Sequence, residues 1–380
     1  MVKAMPLSKI VAKSITDDTI TTDQIADTSV RGRRNLVING SMQVNQRNSS
    51  TTTDATYNTD RFRLETSGGT CTYSWESLSS GSPYDEGFRN FSRLTNTATA
   101  SGSGNYRQLR HTIEAQDVAK SGWDYTSSTS YISISFWVRV SLAGKYTFTL
   151  LTGDGTGQSF NYSRTLVANT WTKVTQTVPG NSNLQFDNDT GPGLHIHWRA
   201  WLGSDYTSAT SEDAWVTYAA SVISESGIAN WGGTSGATYD VTGVQLEVND
   251  KVTPFEHIPY GEELNLCRRY YRDHFPPVFS GVTNGTTSIA RCTTYFDPPM
   301  RIPPAVTFVG TISVYSGSHA TNFDPGDVGN QWKNDQFHEF DSATNGTVQD
   351  GNGQPCVSYH SSSGGATNRT SYGMKFEADF

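Results

Sequence analysis

Apolar positions along this chain follow two repeats of different period. In the middle of the chain they alternate with polar ones. Ile132, Ile134, Phe136 and Val138 interleave with Ser133, Ser135, Trp137 and Arg139, while Ile196, Trp198, Ala200 and Leu202 interleave with His195, His197, Arg199 and Trp201. A period of two is that of a strand with one buried face. The pattern predicts strands at 61–64, 71–75, 106–113, 131–140, 145–151, 171–178, 194–202, 215–219 and 241–248, separated by turns of Gly, Ser, Asn and Asp. Many short strands with no regular helix between them predict a mainly β chain, with residues 35–259 folded as a jelly-roll sandwich.

The second repeat lies in residues 1–34. Met5, Ile10, Ile15, Ile20, Ile25 and Val30 recur every five residues. That period suits neither a helix nor a strand, and one apolar residue in five cannot give a single chain a core. The row therefore predicts burial against something else: sister chains, or a groove on a larger particle. A disordered tail is the alternative.

A helical signal stands between two further β-rich stretches. Pro254 and Pro259 hold the chain extended around Phe255, and Gly261 opens a short helix to Tyr271. Glu262 and Glu263 fall at its positive end, Arg268 and Arg269 at its negative end. Its apolar residues make two stripes, Leu264, Cys267 and Tyr271 on one and Leu266 and Tyr270 on the other. Since one stripe suffices for a surface helix, two predict contact with two bodies: its own sandwich and either a sister subunit or a second domain of the chain. Residues 260–277 thus read as a helical junction. Residues 278–380 read as a second, smaller β unit with strands at 289–296, 305–309, 312–315 and 372–376. Its polar loops between 316 and 371 are the kind of surface on which recognition concentrates.

Charged residues make up 17% of the 380, and the net charge is −8. An acidic chain is a poor partner for phosphate backbones, so nucleic acid is not expected. Cys71, Cys267, Cys292 and Cys356 are scattered without C-x-x-C spacing, which predicts free thiols. No apolar run is long enough to span a membrane, and the N-terminal residues lack a signal-peptide core.

Several segments carry a resemblance. Thr242-Gly243-Val244-Gln245-Leu246-Glu247, then Thr253-Pro254-Phe255-Glu256, then Gly261-Glu262-Glu263-Leu264 with Cys267-Arg268-Arg269-Tyr270-Tyr271 resemble a junction of tail-fibre and related fibre proteins of tailed bacteriophages. NLVINGSMQVNQR at 35–47, DRFRL at 60–64, SFWVRVSLAG at 135–144 and NTWTKV at 169–174 extend it across a domain that in that family looks like a carbohydrate-binding-module jelly roll. The stretch from Pro298 to Val306 and the closing Phe376-Glu377-Ala378-Asp379-Phe380 are similar to the ends of the same fibres. The resemblance implies a homotrimeric virion fibre made in the bacterial cytoplasm. It also implies attachment of residues 1–34 to another virion protein, a tail adaptor or the capsid.

Two polar faces hold the residue types that sugars need. If the strands at 131–140 and 194–202 are neighbours in one sheet, Trp137, Arg139, His195, His197, Arg199 and Trp201 share a surface on which tryptophan stacks on sugar rings and Arg and His bond hydroxyls. The alternative is a face covered by a loop or a subunit. His195-x-His197 has metal-ligand spacing on a strand but no third ligand, so no metal is expected. No nucleophile elbow, zinc-protease helix, P-loop or dinucleotide fingerprint occurs, and Gly153–Gly157 reads as a hairpin loop. No catalytic residue and no cofactor is expected. The function read from these features is a structural phage fibre, a tail fibre, that meets the host surface through residues 278–380. A capsid fibre whose jelly roll binds surface glycans and a polysaccharide depolymerase are the rival readings.

Overall fold

The computed structural model describes residues 33–47, 50–209, 212–274, 280–283, 289–309, 312–316, 319–323, 328–343, 355–358 and 373–380. The repeat from Met5 to Val30 and most of the loop stretch 316–371 lie outside the described residues.

The first twelve strands are β1 (Thr56–Tyr57), β2 (Phe62–Ser67), β3 (Cys71–Ser77), β4 (Asn90–Asn96), β5 (Tyr106–Glu114), β6 (Tyr131–Val140), β7 (Gly144–Thr152), β8 (Gln158–Leu166), β9 (Thr172–Pro179), β10 (Pro192–Leu202), β11 (Trp215–Thr217) and β12 (Thr238–Glu247). They build two antiparallel sheets, one in the order β1-β2-β5-β10-β7-β8-β11 and the other β3-β4-β12-β6-β9. The sheets face each other as a jelly-roll sandwich, as the alternation predicts. Trp198 of β10 meets Phe136 of β6 across the layers, ring centres 5.8 Å apart. Phe62, Leu64, Leu109, Ile134, Val138, Leu150, Ile196 and Val241 fill the space between. The Gly153–Gly157 run joins β7 to β8, an antiparallel hairpin. β1, β4 and β8 are strands that periodicity does not single out: β1 has two residues, and β4 and β8 are rich in Asn, Ser, Thr, Gln and Arg.

Two short helices, α1 (Ser82–Asp85) and α2 (Ala115–Ala119), lie in connections between strands of the sandwich, and α3 (Tyr260–Arg268) is the junction helix. It ends before Tyr271, earlier than the charge pattern predicts. The Arg269 carbonyl is taken by the Arg301 N–H (2.7 Å) and the Tyr270 carbonyl by the Ala378 N–H (2.7 Å), so the helical ladder cannot continue. Tyr271 instead opens a strand.

The junction is knitted by the segments that carry the fibre resemblance. Leu36 N–H donates to the Leu246 carbonyl (2.8 Å), and Val244 N–H to the Gly40 carbonyl (2.8 Å). The Glu256 carboxylate accepts the N–H groups of Arg34 and Asn35, each at 2.8 Å. Glu247 accepts both the N–H (2.8 Å) and the hydroxyl (2.7 Å) of Thr253. Buried Glu263 of α3 accepts the Asn39 N–H. Cys267 and Tyr270 pack on Ile38 and Val44. Cys71 and Cys267 are buried free thiols.

Ten further strands follow: β13 (Tyr271–His274), β14 (Ser280–Thr283), β15 (Ile289–Tyr295), β16 (Ala305–Val309), β17 (Ile312–Ser316), β18 (His319–Phe323), β19 (Val328–Lys333), β20 (Phe337–Ala343), β21 (Pro355–Ser358) and β22 (Gly373–Glu377). One sheet runs β13-β22-β16, the other β18-β17-β21-β14-β15-β20-β19. After β22 the chain lies back on the sandwich. Asp379 pairs with Arg47 and Arg61, and Tyr57 and Arg63 donate to the Phe380 carbonyl at 3.0 and 3.2 Å.

The two stripes of α3 have one owner for the most part. Tyr270, expected to face a sister helix, is buried inside its own chain, while Leu266 is half-buried beside an open cleft with Arg33, Ile258 and Asn265. Tyr270 is drawn inward because its hydroxyl donates to the Glu114 carboxylate, 2.6 Å away.

Candidate functional site

The six residues expected on one surface are not together. β6 and β10 belong to opposite sheets, so Trp137 and Arg139 lie on the far side of the molecule from His195, His197 and Arg199. Trp201 lies on neither outer face. A bulge between Arg199 and Trp201 inserts one residue, reversing the alternation and turning Trp201 into the core. There it stacks on Gly232, where even a Cβ would come within 2.2 Å of the ring.

On the five-stranded sheet, register places Arg93 of β4, Asp240 of β12 and Arg139 of β6 side by side. Fully buried Asp240 takes Arg93 Nε at 2.7 Å and Nη2 at 2.9 Å, and Arg139 Nε at 2.8 Å. The Arg139 guanidinium lies 4.7 Å from the Trp171 ring centre. Trp137 is covered by Phe88 and Phe255 and donates its indole N–H to Glu86 at 3.1 Å. This face is held together by its own contacts.

The outer face of the seven-stranded sheet is organised differently. Its register forms a middle row that crosses six strands: Tyr57, Arg63, Arg110, His197, Thr149 and Asn161. A second row, Glu65, Gln108, Arg199, Thr147 and Ser163, runs beside it, with Thr112, His195 and Leu151 on the other flank. The sequence supplies these rows because β2, β5, β7 and β10 place mostly polar residues on their outward positions, Leu151 being an exception.

The second row is a closed chain of hydrogen bonds. Gln108 donates to Glu65 (2.6 Å) and accepts from Arg199, which also donates through Nε to Thr149 (2.9 Å). Burial lowers the Arg199 pKa to about 10. Ser224 and Glu212, from the connections flanking β11, bond Thr147 and Ser163 at 2.6 Å each and cover the β7–β8 side. The side over β1, β2, β5 and β10 stays partly open: Arg63 is 21% exposed and Arg110 16%.

Polar capacity on that open side is only partly used. Arg110 Nη1 reaches Glu65 at 2.7 Å, but neither Arg63 Nε nor Arg110 Nε has a hydrogen-bond partner. Both ring nitrogens of His197 lack one too, although the side chain is only 6% exposed. His195 shares one hydrogen bond with Thr112, 2.9 Å. Burial, reinforced by Arg110, pushes the His195 pKa down to about 3. Burial and then the nearby Arg199 hold His197 well below the ordinary histidine value. Each imidazole is therefore a neutral ring with one N–H and one lone pair.

Of the expected residues, His195, His197 and Arg199 are thus brought together. Arg63, Glu65, Arg110 and Tyr57 join them and were not foreseen. Their outward positions were visible in the alternation around Phe62, Leu64 and Leu109, but their pairing depends on register.

No family model matches this sequence, and no curated protein matches it. Structural neighbours include a phage tailspike domain and several carbohydrate-binding modules. The enzymatically active domain of tailspike protein 4 of bacteriophage CBA120 is 13% identical, with a TM-score of 0.32, covering 57% of this chain and 21% of that one. A family 4 carbohydrate-binding module is 11% identical at a TM-score of 0.30, covering 56% of this chain and 99% of its own. The family 11 carbohydrate-binding module of Clostridium thermocellum is 12% identical at a TM-score of 0.27, covering 55% and 98%.

Proposed function

We propose that this chain is a subunit of a tailed-bacteriophage virion fibre, a tail fibre, whose sandwich holds a host-surface saccharide against its seven-stranded sheet. The observation that carries the binding role is the middle row. An extended saccharide laid across the strands meets a new side chain about every 4.8 Å, and from Tyr57, partly covered by Arg47 and hydrogen-bonded to Phe380, the row runs through the part-exposed guanidiniums of Arg63 and Arg110 to the His197 ring. Hydroxyls both donate and accept, which is what neutral imidazoles and arginines flanked by Glu65 answer.

The fibre role rests on the likeness of residues 35–47 and 241–272 to fibre junctions, the same residues that knit the junction here. Residues 1–34 attach the subunit to the particle. The fibre is a homotrimer. Binding without cleavage is the reading adopted, because the rows contain one carboxylate, Glu65, already engaged by Arg110 and Gln108, whereas glycoside hydrolysis ordinarily uses two.

The test is affinity electrophoresis through gels cast with capsular and O-antigen polysaccharides from a panel of bacteria. Retardation by at least one polysaccharide, lost in a His197→Ala, Tyr57→Ala variant with an unchanged circular dichroism spectrum, is expected. Retardation that survives this variant but disappears on replacing residues 316–371 would move recognition to the distal loops and overturn the proposal.

A further inference from the structure

The two outer faces of the sandwich treat paired arginines in opposite ways. On the five-stranded sheet Arg93 and Arg139 are separated by one strand, and the residue between them is Asp240, which binds both within 2.9 Å. On the seven-stranded sheet Arg63 and Arg110 are direct cross-strand partners with no acid between them. Like charges placed directly opposite across an antiparallel pair are destabilising. The nearest carboxylate, Glu65, belongs to the next row. It holds Arg110 at 2.7 Å but stands 3.8 Å from Arg63 and spends its other oxygen on Gln108. Arg63 Nη1 also donates to the main-chain oxygen of Phe380 at 3.2 Å, so among the described side-chain carboxylates Glu65 alone serves the two guanidiniums of this patch.

Four polar atoms without partners, Nε of Arg63, Nε of Arg110 and both ring nitrogens of His197, fall in this one patch. His197 is the register partner of Arg110, so the three side chains are consecutive along the row. These four atoms are themselves buried, so what the patch opens to a ligand is the exposed part of the two guanidiniums, Arg63 being 21% exposed and Arg110 16%. A neutral sugar could supply hydroxyls to this patch but not a counter-charge to the two guanidiniums. Guanidiniums bind carboxylate and phosphate oxygens through charge-assisted, often bidentate bonds.

We infer that the saccharide unit seated over Arg63, Arg110 and His197 is anionic, bearing a carboxylate as in a uronic or sialic-type acid, or a phosphate or sulfate ester. The inference rests on the saccharide-binding reading of this face. Arg63 and Arg110 take the anionic group, above the buried His197 ring.

A glycan array separates the two. It carries neutral oligosaccharides, the same cores bearing uronic or sialic-type acids, and cores bearing phosphate or sulfate esters. Signals confined to acidic glycans support the inference, and the split between carboxylate and ester spots names the group. Signals of equal strength on neutral cores overturn it while leaving saccharide binding intact, and silence on every spot overturns both. On the acidic spots Arg63→Gln should weaken binding by about tenfold or more. Because Arg110→Gln alone strands Glu65, the Glu65→Gln, Arg110→Gln pair is the matched variant. It keeps hydrogen-bonding groups in both places and should lose binding to a similar degree with an unchanged melting temperature. Full acidic-glycan binding by both variants overturns the inference.

Discussion

The guanidinium of Arg61 lies face-on over the Tyr270 ring, 3.4 Å from its centre. Arg61 itself is buried and donates to the Thr112 carbonyl, so the ring is clamped against the sandwich that carries it. A residue held this way reports on the fold of one chain. Tyr270→Ala should cost about 3–5 kcal/mol, as deletion of a buried aromatic does, and Tyr270→Phe about 1 kcal/mol for the lost bond to Glu114. Urea unfolding measures both. Light scattering on Tyr270→Phe should give the wild-type mass, whereas Leu266→Asp, on the half-buried side of α3, is the substitution that would lower it if α3 joins subunits.

Asp240 is the second point of leverage. Its carboxylate is fully buried and its two arginine partners are over a quarter exposed, 29% and 28%. Asp240→Ala leaves two guanidiniums facing each other and should destabilise by about 3 kcal/mol or more. Arg139→Met, which leaves Arg93 in place, should cost much less. Thermal unfolding of the pair distinguishes a buried charge hub from two independent surface bridges.

Acid should weaken the fold through His195 and His197. Both bind protons less tightly in the folded chain than in the unfolded one, where the histidine value is 6.5. Between pH 6.5 and about 3 the unfolded chain therefore takes up more protons, and stability falls as pH falls through that window. Each histidine contributes at most about 1.4 kcal/mol per pH unit there. Urea midpoints across pH 7 to 4 should show a shallower slope in a His195→Gln, His197→Gln variant. An identical slope would mean that other groups carry the acid sensitivity.

Gly243 offers a backbone test. It has a φ of +64°, sits at the register shift of β12, and a Cβ there would come within 2.7 Å of the Phe88 ring. Gly243→Ala should cost more than about 1 kcal/mol and loosen Trp137, which near-ultraviolet circular dichroism would register.

Much of the fold could be read in the sequence because it is written locally. The alternation of 131–140 and 194–202 marks β6 and β10, and the glycine-rich run after β7 marks its hairpin. What a period of two cannot say is which sheet a strand joins. That depends on pairing with distant residues, and the condition that would bring Trp137 and His197 to one face, neighbouring strands in one sheet, is not met: β6 and β10 lie in different sheets. Nor does alternation foresee a bulge, which needs only one extra residue, here between Arg199 and Trp201, to send a tryptophan to the opposite side. The middle row was hidden for the same reason: Arg63, Arg110 and His197 are far apart in sequence and become consecutive through antiparallel register alone.

β13 leaves the junction and β22 returns to it as antiparallel neighbours, with His274 opposite Met374. The chain therefore leaves by β13 and returns by β22 one strand spacing apart, about 4.8 Å. To the sandwich, the excursion between them is a cartridge with two adjacent terminals and a further tether, Arg301, which bonds the Arg269 and Thr190 carbonyls. Genetic exchange between related genes could replace it in one crossover pair without disturbing a single residue of the outer rows of the seven-stranded sheet. The incoming piece would have to begin and end at paired positions and bring an edge strand in place of β16. The sandwich and the excursion can then diversify at separate rates within one lineage.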